Sequence, residues 1–446
     1  MRGDRPRPLA GGLRSADDPR PRGASRHRGG GGGGVTAPDA VKVVLVGVGG
    51  YGAEYLAALQ RQQVATVELT GAVDPFPRRS RAARDLADAA TPVRPTLDAV
   101  FDAGAAADLV IIASPIHHHV RQSLVALQRG CHVLCDKPLG ATIQQVGSLI
   151  RGRDESGCWV RVGYQWSYAE GIRALKRDIQ AGRFGAAKRA KTICLWPRTL
   201  SYYRRNDWAG RLRDPATGAW VLDSPINNAQ AHFLHNLFFL LGPTMATSAM
   251  PVEVTAEACR ANGIESFDTV ACRAGTDAGV DVLFYGSHAS RESHGPQFEL
   301  EFEDARVSFA MPAGDDAGEI AVEAGSRRVA IYPSPEASDQ FVKLDEALGA
   351  VATDVPVVCG PEAASAQTLC VNGVHESVPE VVTVPTAIRR RAAEPDRYWI
   401  EGLDEDLRRC YARGALPSEA GLRWAVGGRT IDLSSYDRFP ASGDGA

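Results

Sequence analysis

In the N-terminal part of the chain, apolar residues fall in short unbroken runs. Val41-Lys42-Val43-Val44-Leu45-Val46, Val67 to Val73, Leu109-Val110-Ile111-Ile112-Ala113 and His132-Val133-Leu134-Cys135 are the clearest. Runs of this length without alternation predict strands buried on both faces, as in a parallel sheet. Between them, Ala53 to Leu59 and Thr142 to Ile150 space apolar residues at helical intervals, so strand and helix alternate. From Val252 to about Ile331 the pattern changes. Val280-Asp281-Val282-Leu283-Phe284-Tyr285 and Phe298-Glu299-Leu300-Glu301-Phe302 alternate apolar with polar, and Glu303-Asp304-Ala305 turns tightly into Arg306-Val307-Ser308-Phe309. This predicts an open antiparallel sheet with one wet face. Helices follow near Gln340 to Val351 and Pro361 to Glu376, and residues beyond about 385 give only short elements.

The expected architecture is an α/β Rossmann domain, a doubly wound parallel sheet, over residues 39–163. An α+β domain with a large open, mostly antiparallel sheet follows over 164–446. A length of 446 residues suits two domains at about 150 residues each. Residues 1–38 are different material. Eight arginines stand against three aspartates, and the stretch runs into the six glycines Gly29 to Gly34. Its apolar content is too low to fold, so a disordered tail is expected. The net charge of -3 gives no reason to expect nucleic acid or an acidic lipid as partner. No apolar run reaches the roughly 18 residues of a membrane span. The nine cysteines form no C-x-x-C pair and sit in apolar patterns, so inert thiols in a reducing, cytoplasmic setting are expected.

The candidate chemistry starts after the first run. Gly47-Val48-Gly49-Gly50-Tyr51-Gly52 separates a strand from a helix, and the next strand ends at Asp74. This is the order of a dinucleotide-binding βαβ unit. Gly47 permits the turn, Gly49 lets a pyrophosphate approach the backbone, and Gly52 allows close packing. Gly50 and Tyr51 open the helix, whose N-terminal N–H groups favour an anion. Asp74 follows Gly52 by roughly the 20 residues expected of a carboxylate on an adenosine ribose. That carboxylate favours NAD(H); Arg78 or Arg79, opening the next helix, supplies the alternative of holding the 2′-phosphate of NADP(H).

The third run ends in Ser114-Pro115-Ile116-His117-His118-His119. Ligands gather at the carboxyl ends of such strands, which places Ser114 and Pro115 at the cofactor crevice. Three successive histidines cannot converge on one metal from a helix, so no metal is expected, and one of them facing the nicotinamide is the preferred reading. The fourth run enters Asp136-Lys137-Pro138-Leu139. A lysine there can reach both a nicotinamide and a substrate hydroxyl, and burial would lower its pKa for proton transfer. Further on, Trp196 to Trp220 is long, polar and aromatic without a period. Its Tyr202-Tyr203-Arg204-Arg205-Asn206-Asp207-Trp208 suits either a sugar-lining loop or an oligomer contact.

Gly47 to Gly52, Asp74, Ser114-Pro115 with His119, and Asp136-Lys137-Pro138 together resemble the Gfo/Idh/MocA family, the glucose–fructose oxidoreductase and inositol dehydrogenase group. The family carries Glu-Lys-Pro where this chain has Asp-Lys-Pro. The resemblance runs over about 41–385. It makes Val160 to Trp166 the last Rossmann strand and Ile172 to Gly185 the first substrate-domain helix and turn. It also places His232 on the catalytic histidine of an Asp-x-Gly-x-His-x-x-Asp motif. Asn228 stands for the first aspartate of that motif and His235 for the second. On a shared helix face Asn228 could meet His232, and without a carboxylate there His232 is easier to keep neutral. The alternative is Asn227 or Asn228 as a helix N-cap and His232 as a core histidine.

The resemblance implies an NAD(P)-dependent oxidoreductase moving a hydride between nicotinamide and a secondary alcohol or ketone of a sugar, sugar derivative or cyclitol. Lys137 and His232 would be catalytic, and Asn228, Trp166 and His235 would bind substrate. Asp136, Lys137 and His119 would join the glycine turn in holding the cofactor. A homo-oligomer, dimer or tetramer, through the C-terminal sheet is implied as well. The alternatives are an NAD-dependent redox-assisted glycosidase of the same fold and a non-catalytic cofactor-binding sensor.

Overall fold

Six parallel strands form the first sheet: β1 (Val41–Val46), β2 (Val67–Val73), β3 (Val93–Arg94), β4 (Leu109–Ile112), β5 (His132–Cys135) and β6 (Val160–Val162). Their spatial order is 3-2-1-4-5-6, the doubly wound arrangement whose order reverses between β1 and β4. The computed structural model describes residues 40–77, 81–89, 91–311, 318–353 and 355–441. The tail expected to be disordered therefore lies outside the described residues. In β1 only Lys42 reaches solvent, and all of β4 is buried, as unbroken apolar runs require of central strands.

Helices α1 (Tyr51–Gln60), α2 (Arg81–Asp88), α3 (Leu97–Asp102), α4 (His119–Gln128) and α5 (Ile143–Ser156) connect the strands. Local signals set their ends. Thr96 Oγ1 accepts from Ala99 N at 3.2 Å ahead of α3. Gln145 Oε1 accepts from the N–H groups of Ala141 and Thr142, both at 3.1 Å, and fixes the start of α5.

The chain continues through α6 (Glu170–Gln180), β7 (Ala187–Leu195), α7 (Leu200–Tyr203) and α8 (Ala231–Leu240). Strands β8 (Pro251–Arg260), β9 (Thr269–Thr276), β10 (Asp281–Ser287), β11 (His294–Phe302), β12 (Arg306–Ala310), β13 (Glu319–Ala324) and β14 (Arg327–Pro333) follow. Then come α9 (Val342–Val351), α10 (Pro361–Ser377), β15 (Val382–Thr383), the hairpin β16 (Arg389–Ala392) and β17 (Arg397–Ile400), α11 (Leu403–Arg413) and β18 (Ile431–Asp432). The second sheet has the order β14-β13-β12-β11-β7-β10-β9-β8-β15, with β18 on β8. It is mostly antiparallel. β7 and β10 pair in parallel because the long excursion through α8 and the β8–β9–β10 meander returns the chain beside β7.

The expectation of one wet face holds only toward β12 and β14, where exposed positions recur. At the centre it is corrected. Val282 to Ser287 of β10 are all buried, because Ile400, Leu403, Leu407 and Cys410 cover the face carrying Ile193, Leu283 and Tyr285. Packing also crosses the expected division after residue 163. Phe341, Leu344, Ala347 and Leu348 share a core with Val43, Leu45, Tyr55 and Leu134, so α9 completes the covering of the first sheet. Residues 40–446 form one compact unit. All nine cysteines are unpaired. Among the described residues no helix is long and apolar enough to cross a membrane.

Candidate active site

A crevice of about 930 Å³ opens where the carboxyl ends of β1, β4 and β5 meet the second sheet and its helices. Its Rossmann wall holds Gly49, Gly50, Tyr51, Ser114, Pro115 and Lys137. Asp136 and His119 also reach it. Its opposite wall holds Trp166, Arg198, Tyr202, Asn228 and His232. Most residues expected for cofactor and for chemistry thus share one space, but Gly47, Gly52 and Asp74 do not line it.

The glycine turn is tight on one side and open on the other. Gly47 has φ +83°, and a Cβ there would lie 2.9 Å from the Ala113 carbonyl oxygen. A Cβ on Gly52 would lie 1.8 Å from the Gly47 carbonyl oxygen, so its close packing is against the turn itself. At Gly49 a Cβ would meet nothing within 4 Å. No side chain caps α1 at Gly50; the N–H groups of Gly52 and Ala53 donate to the Gly49 and Gly50 carbonyls, leaving those of Gly50 and Tyr51 to a ligand. An open cradle facing an uncapped helix fits a pyrophosphate. Gly52→Ala should weaken NAD binding at least about tenfold, since overpacking against backbone typically costs 1–3 kcal/mol; titration of the purified variant checks this. Asp74 directly follows β2, and its Oδ1 accepts from Phe76 N at 2.7 Å. Arg79, the alternative phosphate ligand, lies outside the described residues.

Lys137 projects from the end of β5. Its Nζ donates to the Asn228 carbonyl at 2.8 Å, spanning the crevice floor to the turn before α8. Burial lowers its pKa from the ordinary 10.5; Asp136 opposes this, and the charges of Lys343 and Arg198 add to it. Behind it stands a second lysine that the sequence reading missed. Lys343 on α9 is 1% exposed, with Nζ 3.0 Å from the Tyr51 hydroxyl and 3.4 Å from Asp136 Oδ1. The Tyr51 hydroxyl donates to Gln340 Oε1 at 3.3 Å. One ammonium therefore joins the glycine turn to the Asp-Lys-Pro segment.

His232 lies in the first turn of α8, edge-on to Tyr164 at 5.8 Å, and its Nδ1 is buried without a partner. Burial, reinforced by the charges of Lys137 and Lys343, holds its pKa well below 6.5. The ring is neutral, as expected, but from burial and cations rather than from the loss of a carboxylate. A carboxylate does stand beside Asn228. Asn228 Nδ2 donates to buried Asp223 Oδ1 at 2.7 Å, and Gly210 N donates to Oδ2 at 2.6 Å. Asn228 precedes α8, so the shared helix face with His232 does not exist. Nor do Asn227 or Asn228 cap the helix; Gln230 occupies the N-cap position.

Three expectations change. His235 is not on the crevice. It lies beneath Tyr164, rings stacked at 3.8 Å, with Nε2 2.9 Å from Ser167 Oγ, and burial lowers its pKa to about 3. The His117 and His118 rings meet at a tilt near Asp214, centroids 4.0 Å apart, with His117 Nε2 3.8 Å from Asp214 Oδ1. His119 reaches the crevice, yet its ring nitrogens both contact carbonyl oxygens, of Pro138 and Ser114, at 2.7 Å. It ties the turns after β4 and β5 together. Trp166 lines the crevice and donates from Nε1 to Glu336 Oε1 at 2.7 Å. Ser114 Oγ donates to Gln122 Oε1 at 2.5 Å. Among the described residues no group of three metal-ligating side chains converges.

Residues 41–164 match the family described as oxidoreductase family, NAD-binding Rossmann fold. Inositol 2-dehydrogenase 1 of Saccharopolyspora erythraea is 31% identical over 147 residues, 32% of this chain and 43% of its own length. A 2,7-anhydro-N-acetylneuraminate hydratase of Mediterraneibacter gnavus is 22% identical over 310 residues, 68% of this chain and 76% of its own. The chain spans about half or less of the dehydrogenase and reductase relatives it matches, from 35% to 55%. The WlbA dehydrogenase of Bordetella pertussis, solved with NADH and UDP-GlcNAcA, superposes with a TM-score of 0.61. That match covers 76% of this chain and 97% of the other at 19% identity, a likeness of fold.

Proposed function

The chain belongs through residues 41–164 to the Gfo/Idh/MocA oxidoreductase family, and from that premise we propose that it moves a hydride between a nicotinamide cofactor and a secondary alcohol or ketone of a sugar, sugar derivative or cyclitol. The observation that carries this reading is the convergence of Lys137 and His232 on the crevice that also exposes Gly49. Bound there, the cofactor supplies the hydride acceptor in oxidation and the donor in reduction. The uncapped start of α1 and Gly49 would hold its pyrophosphate and Asp74 would meet its ribose, a carboxylate that favours NAD over NADP. Lys137, its pKa lowered by burial, takes the hydroxyl proton as oxidation proceeds and returns it in reduction. Neutral His232 offers one ring nitrogen to the same hydroxyl or its neighbour. Trp166 and Tyr202 bound the space with apolar faces suited to a sugar ring.

The test is titration with NAD and NADP, followed by NADH formation across sugars, sugar acids and inositols. A substrate-dependent rise with one cofactor supports the reading. Binding with no rise on the whole panel rejects it in favour of a sensor or of a reaction without net oxidation. The second reading has one observation behind it: the relative matched over 68% of this chain is named a hydratase. In that reading transient oxidation would activate a carbon–oxygen bond and the cofactor would end unchanged. On the open edge of the second sheet, β14 exposes Val329 and Ile331, which supports a homo-oligomer through that sheet.

A further inference from the structure

We propose that the substrate carries a fixed negative charge, a carboxylate or a phosphate, which Arg198 and Arg205 receive on the outer wall of the crevice. The inference rests on the reading of the crevice as a substrate site and adds the substrate's charge. Both arginines line that space, on the segment that leaves β7 and passes through α7. The Tyr202 ring lies between them in the contact network. The Arg198 guanidinium is 4.9 Å from its centroid and that of Arg205 is 3.7 Å from it. Trp196 flanks Arg198 at 5.8 Å and Trp208 flanks Arg205 at 5.2 Å. Aromatic faces orient guanidinium planes and leave their N–H edges for another acceptor.

Some half-buried or buried arginines elsewhere meet carboxylates: Arg161 and Arg173 share Glu346, and Arg189 meets Glu301. Among the described residues neither Arg198 nor Arg205 forms an ion pair. Arg205 donates to the Tyr202 carbonyl at 2.6 Å, and Arg198 Nε is buried with no partner. The acids nearby accept hydrogen bonds from other groups, although the charge of Arg205 is felt at Asp223. Asp136 receives Lys343, Glu336 receives the Trp166 indole, and Asp223 is held by Gly210 and Asn228. Lys137, Arg198 and Arg205 thus share one cavity, and the charge of Arg198 is felt at Lys137, opposed by those of Asp136 and Asp223. Like charges in a partly desolvated space repel. An anion offering two oxygens would relieve this and match the planar guanidinium fork.

The test uses a matched set: glucose, glucuronate and glucose phosphate, each with NAD, on the full chain. The expected result is kcat/KM at least about tenfold higher for one acidic sugar than for glucose, the scale of one or two charge-assisted hydrogen bonds. The better of the two acids identifies the group. Arg198→Met should lower the acid-to-neutral ratio about tenfold and Arg198→Lys should recover part of it, with thermal melts confirming that both fold; Arg205→Met is the second probe. Glucose turned over as well as either acid, or a ratio unmoved by both methionine variants, would overturn the proposal. If nothing is oxidised, fluorescence of Trp196 and Trp208 still decides. Saturable quenching by an acid but not by glucose sustains the anion site while the oxidoreductase reading falls. Absence of quenching by either acid overturns the anion site.

Discussion

Lys137→Met is expected to lower turnover by about a thousandfold, within the range that a positioned acid–base group contributes, while NAD still binds. Methionine keeps the length and apolar stem of the side chain but carries no proton. The Lys137 ammonium bridges to the Asn228 carbonyl at 2.8 Å, whereas the phosphate cradle is formed separately by Gly49 and the start of α1. The sign of the pH dependence follows from the lowered pKa. Free amine is the base for oxidation, so oxidation rises with pH through the Lys137 pKa and levels off below the 10.5 of an ordinary lysine. Reduction needs the ammonium and falls over the same window. His232 cannot produce that limb, because its pKa lies well below 6.5. Residual activity of the methionine variant should lack the limb. Turnover unchanged from the parent chain would remove Lys137 from the mechanism.

The Rossmann half was legible because its evidence is local. A buried parallel strand must be apolar throughout, and a turn that places Gly52 against the Gly47 carbonyl tolerates little else. Once strand order is known, residues at the ends of β1, β4 and β5 are placed by topology alone. The opposite wall is built by tertiary contact and leaves weaker marks. Arg198 and Tyr202 stood in a stretch without a period, readable as a sugar-lining loop or as an oligomer contact, with nothing local to choose between them. His235 was misplaced because α8 is buried almost all round, so no polar stripe shows which face meets the crevice. Asn228 was read onto a helix that begins only at Ala231. Beyond residue 385 the apolar residues of α11 answer to a sheet face more than a hundred residues upstream, which local pattern cannot reveal. Lys343 did leave one mark. It shares a face with Ala347 and Ala350 of α9, an isolated charge on the buried stripe of a helix.

That charge leads to the second large effect. Lys343→Met should destabilise the chain by about 3–5 kcal/mol, the usual cost of removing one partner of a buried ion pair, and should also alter the chemistry. The ammonium faces the Tyr51 hydroxyl at 3.0 Å, Asp136 Oδ1 at 3.4 Å and the Gly163 carbonyl at 3.4 Å. The Tyr51, Tyr55 and Phe341 rings surround it at 4.8, 5.2 and 5.9 Å. Three acceptors and three π faces suit a charged group, although burial pulls its pKa below that of an ordinary lysine. Position in the first turn of α9 sets it against the helix dipole, so tertiary contacts hold it there. Without it, Asp136 keeps only the Tyr55 hydroxyl at 3.5 Å and its neighbour Lys137. Lys343 also holds the Lys137 pKa down. Its removal should therefore move the oxidation limb to higher pH, an effect that loss of packing alone would not produce. Lys343→Arg keeps the charge and should leave the limb near its original place. A methionine variant with an unchanged melting profile and an unmoved limb would show that the lysine does no more than fill space.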